Sequence, residues 1–403
     1  MQLSLHEQAD AADAGFELRD VFAAYYACRA NKRRTANALA FEVDFETELV
    51  ALWRELNSGQ YRPGRSVAFI VDKPVKREIF AAAFRDRVVH HLVINKLNPL
   101  FEAEFIYDSY ASRAGKGTLF AVRRLERFIR SCSANYTSDA YVLKLDIAGF
   151  FMHINTVTLF HRLEQFIAAR YGGGDRGLLI DVCRVIAANR PTENCVIKGH
   201  RSDWVGLPPG KSLFDGPPDC GLPIGNLTSQ VFANFYMNPF DHFVKHDLGV
   251  RFYGRYVDDL VLVHPDRDYL SGLIPVLGTY LGQHLGLTLH PKKTRLAHHR
   301  DGVEYLGAFI KPGRVYAGKR TKGNFHAAIT RHNTVAADHQ PSRDEQEEFR
   351  ASMNSYLGYL KHYDTRTLRR AIVSQRVNGW WTYAHINGNV DRFVLKRPPT
   401  SSA

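Results

Sequence analysis

The sequence predicts a mixed α/β fold organised around an antiparallel sheet, and three segments carry that prediction. Residues 141–146 (YVLKLD) alternate and are rich in strand formers, so they read as a buried strand that ends on Asp146. Residues 252–263 read as strand, tight turn and strand, with the turn at Asp258-Asp259. Residues 303–317 (VEYLGAFIKPGRVYA) suggest a further hairpin.

The remaining elements follow in chain order. The first sixty residues read helical, with apolar positions at Phe16, Val21, Phe22, Tyr25 and Tyr26, then a basic turn at 31–34 and a second helical run over 41–56 ending at Gly59. Residues 66–71 (SVAFIV) look like a strand closed by Pro74, and 77–97 has apolar residues at helical spacing. A helix is expected from an Asn155 or Thr156 cap to Tyr171, stopped by three glycines at 172–174. Residues 190–219 are rich in Pro, Gly and Lys and read as an irregular insertion, and 228–247 as a long apolar helix capped near Thr228 or Ser229. The tail from about 343 to 395 reads as helical, basic and aromatic, with a frayed end at 398–403. These pieces divide into an N-terminal helical extension over 1–60, a central domain over 61–320 with its insertion at about 172–220, and a helical tail domain over 321–403.

Composition narrows the function classes. The 403 residues carry a formal net charge of +12, a positive field that favours a polyanionic partner, nucleic acid or an anionic membrane. No apolar run approaches the roughly 20 residues that span a bilayer. Glu7 and Asp10 in a segment without an apolar core argue against a signal peptide, so a cytoplasmic protein is expected. Five cysteines form no C-x-x-C pair and read as reduced thiols, not as a zinc or disulfide framework.

Adjacent carboxylates flanked by buried strands are costly, because like charges repel and desolvation is unfavourable; a divalent cation removes that penalty. An isolated Asp-Asp pair is by itself a solvated turn. Asp146, closing a separate strand with Gly149 behind it for a sharp turn, changes that reading. Phosphoryl transfer to a 3′-hydroxyl uses two Mg2+ ions roughly 3.5–4 Å apart, held by a few carboxylates and the substrate phosphates. Asp146 and Asp258 are therefore the expected bridging ligands, with Asp259 supporting.

The motifs Leu143-Lys144-Leu145-Asp146-Ile147-Ala148-Gly149-Phe150-Phe151, Gly221 to Gln230 (GLPIGNLTSQ), Arg255-Tyr256-Val257-Asp258-Asp259, Leu289 to Thr294 (LHPKKT) and Glu304-Tyr305-Leu306-Gly307 resemble, in order, the palm motifs of reverse transcriptases. Lys76-Arg77-Glu78-Ile79, Phe84-Arg85-Asp86-Arg87 and the segment 108–117 resemble the fingers motifs. The resemblance covers roughly residues 66–390. Within the family, the stretch 204–214 (WVGLPPGKSLF), the phrase 224–230 (IGNLTSQ) and the segment 354–363 (NSYLGYLKHY) resemble diversity-generating retroelement enzymes, whereas most reverse transcriptases carry Gln where this chain has Ile224.

That resemblance implies a right-hand polymerase of fingers, antiparallel palm and helical thumb, copying a template-repeat RNA into cDNA from deoxynucleoside triphosphates and Mg2+. It implies Asp146, Asp258 and Asp259 as metal ligands and catalytic residues, with Ile147 in the metal and nucleotide set. Phe151, five residues after Asp146, would exclude a 2′-hydroxyl. Arg113 and Lys116, in a Gly-containing loop, would bring charge to the triphosphate. Lys293 would protonate the leaving pyrophosphate. Ile224 and Gly225 would touch the nascent base pair, and an apolar group in place of Gln implies error-prone copying of template adenines in mutagenic retrohoming. In the tail, Arg366, Arg369, Arg370 and Arg376, with Trp380, Trp381 and Tyr383, suit a thumb that grips backbone phosphate. The resemblance further implies a pentameric basic accessory variability protein. Alternatives are a phage-defence or intron-type reverse transcriptase and, in another class, a non-catalytic RNA-binding scaffold. All three aspartates being present counts against the scaffold.

Overall fold

Strands form where β-branched and aromatic residues alternate, and the segment 66–71 is such a case. In the computed structural model, which describes residues 15–30, 36–72 and 75–396, Ser66–Val71 is a strand. The basic turn at 31–34, Pro74, the segment 1–10 and the tail 398–403 lie outside the described residues. Arg77–Ala81, expected as the start of a helix, is instead a strand antiparallel to Ser66–Val71. Its residues Glu78 and Phe80 face inwards, a two-residue period too short to be distinguished from a helix turn by pattern alone. On the other side of Ser66–Val71, Cys195–Ile197 from the insertion pairs in parallel. The helix proper runs over Phe84–Glu104.

The chain divides into two compact units. One comprises Met1–Ala114, Leu145–Leu260 and Gly272–Thr294; the other comprises Gly115–Lys144, Val261–Ser271 and Arg295–Ala403. In the first, helix Phe84–Glu104 packs against helices Leu18–Arg29 and Leu227–His242. Leu227–His242 is buried on nearly all sides, and its buried set mixes apolar residues such as Val231, Phe232 and Met237 with polar Asn234 and Asp241. It starts after Asn226, not at Thr228 or Ser229, and Asn226 Oδ1 is spent accepting from Ala82 N at 3.2 Å. Helix Thr156–Arg170 begins as expected, with the Asn155 side chain accepting from Thr158 N. The run read as one helix over 41–56 is two, Ala36–Glu42 and Phe45–Asn57.

A four-stranded sheet has the order Phe252–Tyr256, Asp259–His264, Tyr141–Asp146, Arg295–His298. The sequence therefore placed its two acidic strand ends on neighbouring strands. Within the second unit, 303–317 forms a three-stranded antiparallel meander, where a hairpin was expected. Helices Lys319–Asp338, Arg343–Leu360 and Arg366–Arg376 follow, the second opened by a Ser342–Glu345 capping box. Residues 384–395, expected helical, form a hairpin of Ala384–Asn387 and Arg392–Leu395. Trp380 is fully buried and stacks on Phe349 at 4.1 Å, so it is the core member of the tryptophan pair, while Trp381 is exposed. The whole is a mixed α/β protein with antiparallel sheets, as the sequence predicts. No helix among the described residues is long and apolar enough to cross a membrane.

Candidate active site

Asp146 ends its strand, and the backbone then turns through Gly149, whose φ of 55° is left-handed. His290 N donates to the Asp146 carbonyl at 2.7 Å, and Ala148 N to Thr288 O at 2.8 Å, which ties this turn to the segment carrying Lys293. Lys293 Nζ lies 2.9 and 3.0 Å from the two Asp146 carboxylate oxygens. Ile147 is fully buried, so its backbone carbonyl is the group it could offer a ligand.

Asp258 and Asp259 follow Val257, a β-branched residue at φ 57°, a conformation that costs on the order of 1–3 kcal/mol. Arg255 accounts for its persistence. Its guanidinium is wholly buried, pairs with Asp241 at 2.5 Å, and donates to the Val257 carbonyl at 3.1 Å and to Asn234 Oδ1 at 3.2 Å. Tyr253 donates to the same Asp241 carboxylate at 2.6 Å. The strained turn is thus fixed by a buried ion pair.

The carboxylates feel one another. Burial first, then the charges of Asp259 and Asp146, push the Asp258 carboxyl up to about 6, and the Lys211 ammonium opposes the rise. Burial and like charge thus both oppose ionisation of Asp258. The donors are hard carboxylate oxygens, which fit Mg2+ by type. Among the described residues no three acidic, His or Cys groups are gathered closely enough to hold a metal as they stand, and Lys293 takes up the Asp146 carboxylate.

Phe151 is half-buried, edge-on to buried Phe150 at 5.4 Å. Its carbonyl accepts from Leu222 N at 2.8 Å, which brings the 221–225 phrase beside it. The Ile224 carbonyl accepts from Phe80 N at 2.9 Å. Gly225 sits at φ +123°, and a Cβ there would lie 2.9 Å from Ile79 Cγ2 and 3.1 Å from the Phe80 carbonyl oxygen, so only glycine fits without displacement.

The other expected residues are distributed differently. Arg113 has a side chain only 5% exposed; it makes a bidentate pair with Glu102 and donates to the Ile106 and Ser109 carbonyls at 2.6 and 3.0 Å. It braces the loop that pairs with Arg255 through Tyr110 N and Asp108 O. Lys116 is half-buried in the second unit. There Arg366, Arg370 and Arg376 are exposed, whereas Arg369 is buried against Asp391 and the Val390 carbonyl at 2.8 and 2.7 Å. Sequence reasoning missed Asp241 and named Glu78 only as part of the fingers motif, with no role of its own. Glu78, 1% exposed, accepts from Trp204 Nε1, Ser212 Oγ and Leu213 N at 2.5, 2.7 and 2.6 Å.

Comparison with known proteins identifies the family. The family described as reverse transcriptase (RNA-dependent DNA polymerase) matches residues 73–310, more than half of the chain. The chain belongs to the reverse transcriptase family. Protein YkfC of Escherichia coli (strain K12) is 25% identical to it over 305 residues, 67% of this chain and 73% of that protein. Two solved structures are similar at lower identity. Telomerase from Candida albicans, in complex with a TWJ fragment of telomeric RNA, gives a TM-score of 0.46 at 12% identity, over 79% of this chain and 58% of that one. Apo telomerase from Candida tropicalis gives 0.47 at 13% identity, over 78% of this chain and 60% of that one. This reverse transcriptase thus spans less than two thirds of the telomerase chains it resembles. Family membership agrees with the RNA-directed DNA polymerase expected from the motifs. Reverse transcriptases use divalent metals, which fits the carboxylate donor set.

Proposed function

We propose that this reverse transcriptase copies a repeat RNA into cDNA from deoxynucleoside triphosphates, with errors concentrated at template adenines. The observation that carries the polymerase reading is the placement of Asp146 and of Asp258-Asp259 at the ends of neighbouring strands, where burial and the charges of Asp259 and Asp146 push the Asp258 carboxyl up to about 6. Asp146, Asp258 and Asp259, with the Ile147 carbonyl, would hold two Mg2+ ions. Bound Mg2+ would acidify the attacking 3′-hydroxyl and neutralise the leaving pyrophosphate. Lys293 holds ammonium protons beside Asp146 and is the donor we assign to that pyrophosphate.

Phe151, half-exposed and hydrogen-bonded through its backbone to Leu222, supports a ring wall that excludes a 2′-hydroxyl. Ile224 supports the error-prone reading: its backbone is fixed on Phe80 and its side chain offers no donor or acceptor to a base pair. Lys116 would serve the triphosphate, while the bidentate pair with Glu102 suits Arg113 to holding the loop in shape. Exposed Arg366, Arg370 and Arg376 would contact backbone phosphate. Use in mutagenic retrohoming with a pentameric basic accessory protein rests on the phrases at 204–214, 224–230 and 354–363.

Primer extension on poly(rA)·oligo(dT) with Mg2+ tests the polymerase reading. The wild-type chain extends the primer, and Asp258→Asn abolishes extension. Equal extension by the two proteins refutes the assignment.

A further inference from the structure

The insertion contains a feature that the polymerase reading leaves unused. The segment around Lys211 is fixed on both sides. Before it, Gly210 adopts φ +70°, and its carbonyl oxygen lies so close to Gly149 that a Cβ there would be 3.3 Å away. Gly149 is the turn that follows Asp146. After it, Ser212 Oγ and Leu213 N both donate to buried Glu78, and the Leu213 side chain rests against Gly221. Trp204 donates to the same carboxylate, and the Phe214 ring lies 5.4 Å from Phe80 and 4.0 Å beneath the Arg201 guanidinium. A fully buried carboxylate with three donors is a rigid anchor. Lys211 itself is half-buried, and its charge reaches Asp258.

We propose that Lys211 contacts the polyphosphate of the incoming nucleotide, held in place by the Glu78 clamp. Two divalent cations would more than offset the three carboxylates, so a lysine fixed here is not needed to neutralise the loaded aspartates. Its natural partner is an anion brought with those cations, and the incoming nucleotide supplies phosphate oxygens at this end of the site. Glu78 is then a positioning residue, acting through Ser212 and Leu213 on the backbone that carries Lys211. The inference rests on the polymerase reading above.

The test is titration calorimetry of the full chain with a non-reactive α,β-imido deoxynucleoside triphosphate and Mg2+, alongside primer–template binding and primer extension. Lys211→Ala is expected to weaken analogue binding roughly ten- to hundredfold, the worth of one charge-assisted hydrogen bond. Lys211→Arg should recover most of that loss, and Lys198→Ala, exposed in the same insertion, should leave binding unchanged. Glu78→Gln should weaken the analogue in the same direction while leaving primer–template affinity intact. Unchanged analogue binding by Lys211→Ala, in a chain that still extends primers, overturns the proposal alone. Loss of primer–template affinity with intact analogue binding also overturns it and assigns Lys211 to nucleic-acid backbone. A wild-type chain that neither extends primers nor binds the analogue overturns the polymerase reading as well.

Discussion

Replacing Asp258 by Asn removes one charge from the acidic trio while keeping the side chain's shape. In the fold the carboxyl is pushed from 3.8 up to about 6 by burial and by Asp259 and Asp146. At about 1.4 kcal/mol per tenfold change in proton affinity, holding it ionised at neutral pH without metal costs up to about 3 kcal/mol. Partial exposure makes this an upper figure. The sign follows from the direction. The folded chain holds this proton more tightly than the unfolded one, so its contribution is full below 3.8 and is lost as pH rises through about 6. Metal-free wild type should therefore lose stability across that window, and Asp258→Asn should lose less, leaving the variant a few degrees higher in Tm at pH 7.5. Mg2+ should then raise the Tm of wild type more than that of the variant, because it binds the folded wild-type site. The assay is thermal denaturation in EDTA at pH 4.5, 6 and 7.5, repeated with Mg2+. A variant less stable than wild type at pH 7.5 in EDTA, or an identical Mg2+ response, refutes the reasoning.

Three further outcomes are expected. Ile224→Gln should lower misincorporation opposite template adenine roughly two- to tenfold, the effect of restoring about 1 kcal/mol of hydrogen bonding; sequencing of cDNA copied from an adenine-containing RNA reads it, and an unchanged spectrum sinks the link. Arg255→Gln should destabilise the protein by about 3–5 kcal/mol in urea denaturation, because it leaves Asp241 buried without its cation; the Arg255→Met, Asp241→Leu pair should be less damaged than the two single changes added together. Phe151→Ala should raise incorporation of ribonucleotides relative to deoxynucleotides, measured by gel extension with each triphosphate. No change in that ratio would return Phe151 to a packing role beside Phe150.

Much of the site was legible because its signals are local. Tyr141–Asp146 alternates cleanly, and the hairpin turn is marked by two acids between buried runs, so strand ends and aspartates could be read directly. What escaped is set by distant partners. Glu78 lies in a segment whose spacing reads as helix, and its donors Trp204 and Ser212 lie 126 and 134 residues further on. Arg113 reads as a free basic loop residue until Glu102 folds back onto it. Helix Arg267–Leu285 carries Pro275 and several glycines that break a helical pattern on paper but are tolerated in place. Hairpin Ala384–Leu395 is too short and too polar to outvote the helical signal before it.

The parallel pairing of Cys195–Ile197 with Ser66–Ala68 has a kinetic consequence. Two strands so far apart in sequence meet only after the intervening chain has collapsed, because closing so long a loop is entropically unfavourable until other contacts compensate. During synthesis the edge of Ser66–Val71 waits unpaired while the segment bearing Asp146 emerges, and an unpaired edge is a template for association with other chains. The nascent enzyme thus carries its acidic strand before it can assemble the sheet whose neighbouring strand, through Glu78, anchors the insertion.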